Sequence, residues 1–317
     1  MNSAISALIV ANVVWGTSFV ATKPLLDVLP AASIAVGRCF FALVVLLPVL
    51  LLTGRRIALG WVPAILGSTG VVLTVVLQNL GLERTSAANA SCLSGAVPAM
   101  AVVLAYVLLR QSPRRAELAA VGLSLAGVVA IVIADGGAKA SFSPAGDALI
   151  LASAASLAMY LVLGSRYFAQ IDAVSLVAGS SLYGLLFLTP FAGYEATQTR
   201  IAFPDAETLL MLVYLGAGAS ALAYCLEGCA LSELGSGQVA MFGNLVPAIG
   251  VVASALFLGE TISLMQGTGA VLVVAGAWLT TRDAASVRRR PAFLGGLLKE
   301  AIFRNRRSES IRRSTVW

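Results

Sequence analysis

Apolar runs of span length recur along the whole chain, near 3–22, 31–53, 61–80, 86–109, 116–135, 146–165, 173–193, 207–229, 235–258 and 264–281. A helix that crosses a hydrocarbon core needs about 20 such residues, so each run predicts one transmembrane helix. Several runs are interrupted by Gly, Ser and Pro, and small residues let membrane helices approach closely. Strands of a membrane barrel are shorter and alternate in polarity, and these runs do neither. The pattern predicts an all-α membrane protein of ten transmembrane helices. The first run has no positively charged segment ahead of it, so it reads as the first span rather than a cleaved leader.

Composition agrees. Of 317 residues, 59% are hydrophobic and 11% charged, with a mean hydropathy of +0.92; a soluble domain of this length needs more surface charge. The four cysteines, Cys39, Cys92, Cys225 and Cys229, all fall inside predicted spans, which offers no disulfide framework. Cys225 and Cys229 share a helix face, but the chain has no His. They read as small packing residues rather than metal ligands, and no metal or cofactor is expected.

Charge sets the expected orientation. One set of alternate loops carries Arg55, Arg56, Arg110, Arg114, Arg115 and Arg166, together with a tail holding ten more cations; the other carries Lys23, Arg84, Lys139 and Arg200. The positive-inside rule then places both termini in the cytoplasm and the chain in the cell (inner) membrane. Within the tail, "PAFLGGLLKEAIFRNRR" has two readings: a basic amphipathic helix lying on anionic lipid, or a solvated segment that only sets topology, with Gly295 and Gly296 weakening the helix.

Two distant stretches align without a gap. "VPAMAVVLAYVLLRQSPRRAELAAVGLSLAGVV" from Val97 lies over "VPAIGVVASALFLGETISLMQGTGAVLVVAGAW" from Val246, an offset of 149 residues that superposes Pro98 on Pro247 and Leu109 on Leu258. The chain therefore divides into a first repeat, 1–135, a second repeat, 146–281, and the basic tail, 282–317. Each repeat holds five spans, an odd number, so the second is inverted relative to the first. That is the architecture of secondary transporters, with a site near the midplane between halves.

"WGTSFVATK" in the first span, "GRCFFA" in the second, the prolines of the fourth and ninth and "LFLGETISLMQGTGAVLVVAG" at 256–276 resemble the drug/metabolite transporter superfamily. The resemblance is to its EamA-type ten-helix exporters, which include YddG-like amino-acid exporters, and covers roughly residues 3 to 281. It implies export of small amphipathic metabolites, often amino acids, by alternating access around a central cavity. Two departures stand out. In the first repeat the Leu-Gly-Glu position reads Leu109-Arg110-Gln111. The first span also lacks the embedded Glu that small four-helix members of the superfamily use for proton coupling.

Ionisable groups inside a membrane are functional candidates by default. Arg38 lies about 10 Å into the second span and reads as a partner for a substrate carboxylate or an outer gate. Lys23 is either part of the same cationic rim or a side chain snorkelling to the interface. Glu227 is a cation, proton or ammonium site, or simply solvated if the eighth span stops short of it. Trp15, Thr17, Gln78, Asn79, Asn89, Tyr160, Tyr183, Tyr224 and Asn244 lie on spans that line the cavity in the family; an amide there can instead bond to a neighbouring helix. Pro98 and Pro247 are expected to bend their helices and free backbone carbonyls. Glu260 reads as a first-turn acid at the N-terminus of the tenth span.

Other classes fare worse. There is no His for metal or triad chemistry, Gly146-Asp147 is only a weak echo of an aspartyl membrane protease, and no phosphate-binding loop is present. Neither a charged ring nor a filter sequence suggests a channel. No enzyme and no nucleic-acid partner are expected; the partners are a small-molecule substrate and the lipid bilayer. A monomer suffices, because both halves of the inverted pair are in one chain. A non-transporting membrane sensor, or a carrier of non-amino-acid metabolites or drugs, remains the alternative.

Overall fold

The computed structural model describes residues 3–110, 115, 118, 119, 121–123, 125–127, 129, 130, 143–198, 205–234, 239, 242, 243 and 245–284. Among them the chain is helical between short links and forms no strand. In hydrocarbon every backbone N–H and C=O must be satisfied within its own segment, and long helices do so. The helices are α1 (Ser3–Leu25), α2 (Ala31–Thr53), α3 (Trp61–Leu82), α4 (Ala87–Leu108), α5 (Pro144–Tyr167), α6 (Ala173–Gln198), α7 (Ala206–Glu233), α8 (Leu245–Leu258) and α9 (Leu264–Ala284). The first seven are long and apolar enough to span a bilayer, and α8 is a shorter apolar helix. They match the predicted runs one to four and six to ten; of the fifth run, 118, 119, 121–123, 125–127, 129 and 130 are described and are helical, and the basic tail from 285 on falls outside the described residues.

Local chemistry explains the boundaries. Gly54 ends α2 at a φ of 67°, with its N–H turned back to Leu50 and Leu51 carbonyls, a conformation that favours glycine. Ser143 starts α5 by accepting from the Gly146 N–H, with Pro144 just inside the helix. Asp205 starts α7 by accepting from the Thr208 N–H at 2.8 Å. The bonds from Thr208 hold the Asp205 carboxyl below its usual range. The cap's contribution is thus full above the unfolded pKa of about 3.9 and is lost as pH falls through the lower folded value. Asp205→Ala should melt below the wild type at neutral pH, and the gap should close in acid, which thermal unfolding at a series of pH values would show.

Two interior features shape the centre of the bundle. Both α3 and α7 widen into π-helix, over Gly67–Leu73 and Tyr214–Leu222; Leu73 and Leu222 stand 149 residues apart. Small residues then bring α1, α4 and α8 together. A Cβ on Gly16 would come within 2.6 Å of the Ile249 side chain, and one on Gly250 would collide with Ser91. These contacts explain the glycine of the first run: it admits a neighbour.

Candidate functional site

A cavity of about 90 Å³ lies where α1, α2, α3, α4, α5, α7 and α8 converge. Its wall is mostly apolar, with a few polar groups aimed inward, as in ligand sites generally. Arg38 and Glu227 both line it, 4% and 5% exposed. Arg38 Nε donates to Ser220 Oγ at 3.1 Å, while its Nη1 has no partner; Glu227 Oε2 and Asn12 Oδ1 are likewise buried and unpartnered. Ser220 and Glu227 are seven residues apart on α7, about two turns, so the cation and the carboxylate meet the cavity at different depths. They do not pair with each other; the one ion pair among the described residues is Arg55 with Asp172, half-exposed at a bundle end.

A row of aromatic rings forms one side. Trp15 stands edge-on to Tyr224 with centroids 5.3 Å apart, and Tyr224 edge-on to Tyr160 at 5.4 Å. The row is pinned to the π-helical turns: Trp15 Nε1 donates to the Ala219 carbonyl at 3.0 Å and the Tyr224 hydroxyl to the Gly70 carbonyl at 2.7 Å. A Cβ on Gly70 would strike the Tyr160 ring, so glycine is what admits that ring. Trp15 and Tyr224 face the cavity; Tyr160 lies behind them and is not part of its lining.

The other expected residues divide. Gln78 and Pro98 line the cavity. α4 is interrupted at Gly95 and Ala96, and Pro98 has no N–H to give the carbonyl of Ser94, which also lines the cavity. Pro247 is buried in α8 away from that lining. Asn79 is fully buried, and its side chain donates to the Ala31 carbonyl at 2.9 Å, tying α3 to the start of α2. Thr17 bonds Tyr214 at 2.6 Å, and the Tyr183 hydroxyl accepts from the Gly60 N–H at 3.2 Å. None of these three lines the cavity. Asn244 lies outside the described residues.

Three expectations are corrected or decided. Glu260 does not serve the helix that follows it: its carboxylate accepts from the Ala87 and Ala88 N–H groups at 2.9 and 2.8 Å, at the start of α4. That site has free N–H groups for an anion, and Glu260 lies four residues before its own helix begins at Leu264. Lys23 does not line the cavity; Nζ donates to the Leu82 and Thr85 carbonyls at 2.6 and 2.9 Å, anchoring α1 at the end of α3. Glu227 is not solvated, because α7 continues past it and packing buries it. Sequence reading missed Asn12, Ser18, Ser153 and Ser220; Asn12 and Ser18 lie three residues either side of Trp15, a spacing that shares its helix face.

The EamA-like transporter family matches over residues 2–133 and again over 144–282. The chain belongs to that family. As an EamA-like transporter it is a multi-pass membrane protein that carries a small molecule across a bilayer, and not an enzyme. It is 33% identical over 221 residues to an "Uncharacterized transporter" of Archaeoglobus fulgidus, covering 69% of this chain and 75% of that protein. It is 26% identical over 299 residues to a Streptantibioticus cattleyicolor protein named "Probable terminal-alkyne amino-acid exporter", covering 93% and 99%. A crystal structure with 19% identity covers 88% of this chain and 98% of its own, with a TM-score of 0.66, which shows a shared fold alone.

Proposed function

We propose that this transporter exports small zwitterions, amino acids or closely related amphipathic compounds, by alternating access around the cavity. The observation that carries this is the presence in one buried wall of two ionisable groups of opposite type that lack a partner, at Arg38 Nη1 and Glu227 Oε2. A buried charge without a partner costs several kcal/mol. A ligand with a carboxylate for Arg38 and an ammonium for Glu227 relieves both, while Trp15 and Tyr224 take its apolar part. The amino-acid exporter named among the relatives supports the same substrate class.

The moving parts are two inverted repeats, 1–135 and 146–281, in a ten-helix bundle. The 149-residue sequence offset, its recurrence between the π-helical turns of α3 and α7, and the two separate matches to the family support this division. Both termini face the cytoplasm of a cell (inner) membrane, as the loop cations imply. One chain holds both repeats and works as a monomer, with the 282–317 tail against anionic lipid.

Uptake into proteoliposomes tests the substrate class. A labelled neutral amino acid should be transported and competed by other zwitterions. Its methyl ester, without a carboxylate, and its N-acetyl form, without an ammonium, should compete at least tenfold less well. Equal competition by all three would overturn the zwitterion reading. Trp15→Ala should lower uptake about fivefold, since it takes from the cavity wall an aromatic face whose contact with the substrate is worth about 1 kcal/mol; unaltered uptake would remove Trp15 from the site.

A further inference from the structure

A second buried carboxyl lies outside the cavity and has no part in the reading above. Asp147, in the first turn of α5, is 2% exposed. Its Oδ1 accepts from Thr85 Oγ1 at 3.0 Å and from Asn89 Nδ2 at 2.9 Å. Its Oδ2 is buried without a partner, and so is Asn89 Oδ1. Thr85 and Asn89 flank the start of α4, whose first two N–H groups are held by Glu260. Two acids from the second family match, 144–282, thus grip the same turn of the first, one through backbone and one through side chains.

Among the described residues no cation pairs with Asp147. Lys23, from α1, is committed to the Leu82 and Thr85 carbonyls. Arg84, at the end of α3, gives its guanidinium to the Leu80 carbonyl at 3.3 Å. Glu83 beside it is itself pushed up from the usual carboxylate range by burial, with Arg84 opposing and Glu195 adding to the rise. Glu260 faces the backbone of α4. None of these lies within ion-pair distance of Asp147 among the described residues.

What can sit on Oδ2 is limited by space. A Cβ on Gly81 would come within 2.9 Å of the Gly146 carbonyl, so α3 and α5 touch backbone to backbone beside the carboxyl. A metal ion needs room and several oxygen ligands, and no group of three acidic, His or Cys side chains gathers among the described residues. A proton needs one oxygen with a free lone pair. Oδ1 already has two donors, so the free position is on Oδ2.

We propose that Asp147 is a proton-binding site of this transporter, separate from the substrate cavity. A proton from water adds to Oδ2, turning carboxylate into neutral acid, while α5 is docked on Thr85 and Asn89. The neutral acid removes an unpaired buried charge and becomes a donor. When α5 and the start of α4 part, water reaches Oδ2, the proton leaves, and the cycle is coupled to pH. The coupling, though not the proton site, rests on the carrier reading above.

Infrared difference spectra of the purified protein in lipid, taken across a pH series, test the site without transport. A protonated-carboxyl C=O component should be present in Glu227→Gln, absent when Asp147→Asn is added to that variant, and lost as pH rises. Identical spectra for wild type and Asp147→Asn at every pH would overturn the proposal. Thr85→Val keeps Asp147 but removes a hydrogen bond to its charged form, so the component should persist to higher pH; an unmoved component would count against the site even if Asp147→Asn failed to fold. In proteoliposomes, Asp147→Asn should exchange substrate within about twofold of wild type and lose its response to a pH gradient. A wild-type response would overturn coupling. Absence of exchange in wild type itself would sink the carrier reading while the spectra still decide the proton site.

Discussion

Arg38→Met lowers zwitterion uptake by about 10- to 100-fold and leaves the protein at least as resistant to heat as the wild type. A hydrogen bond to a charged group contributes about 1.5–3 kcal/mol, which sets the loss of transport if Arg38 Nη1 meets the substrate carboxylate. Stability moves the other way. The guanidinium is buried with one hydrogen bond, to Ser220, and among the described residues no carboxylate pairs with it. Replacing buried charges with apolar groups of similar volume is often neutral or stabilising by about 1–4 kcal/mol. Glu227→Gln behaves alike: uptake falls, and the thermal midpoint holds or rises. A residue with a packing role loses both together, so a variant that loses heat resistance in step with uptake would remove that residue from the substrate site. Uptake and melting curves on the same preparations make the comparison.

The second large effect is steric. Gly250→Ala places a methyl group against Ser91 in a seam where the Gly16 carbonyl already lies 3.3 Å from that Cβ position. Ser91 is fully buried, its hydroxyl held by the Ala88 carbonyl at 2.8 Å, so it cannot swing aside. Overpacking of this kind costs about 1–3 kcal/mol, and the thermal midpoint should fall accordingly. Uptake should fall too, because α1, α4 and α8 all contribute to the cavity wall. Ser91→Gly in the same chain opens the space and should restore most of both. If the double variant is no better than Gly250→Ala alone, the seam is not the cause.

Helix positions were legible because the bilayer imposes a strong rule. A span must be long and apolar, and the limits of α2, predicted at 31–53, agree with Ala31–Thr53. Arg38 and Glu227 were legible for the complementary reason: a charge at that depth is costly and stands out against its neighbours. Gly16 was readable as a contact point because a glycine inside an apolar helix has few other uses. The neutral polar residues were not separable. Gln78 and Asn79 are adjacent, both amides, both on the third run; one lines the cavity and the other bonds to α2. Nothing local distinguishes them, since the difference is a rotation of one residue about the helix axis. Glu260 was misread because its partner is a helix 173 residues away, whose start becomes a neighbour only after folding.

Apolar length, loop charge and sequence motifs by themselves pointed to a helical membrane protein of the EamA-like family, to where its described helices run, and to Lys23, Arg38 and Glu227 as the charges to examine. Which face of each helix turns inward was decided only by the tertiary structure. In water the apolar face of a helix is the buried one, but in a bilayer the lipid-facing and protein-facing sides are both apolar. The hydrophobic pattern is then silent on direction. Close packing through Gly16, Gly250 and Gly70, and the few hydrogen bonds that hold Trp15, Tyr224 and Arg38 to α3 and α7, turn those faces toward one cavity.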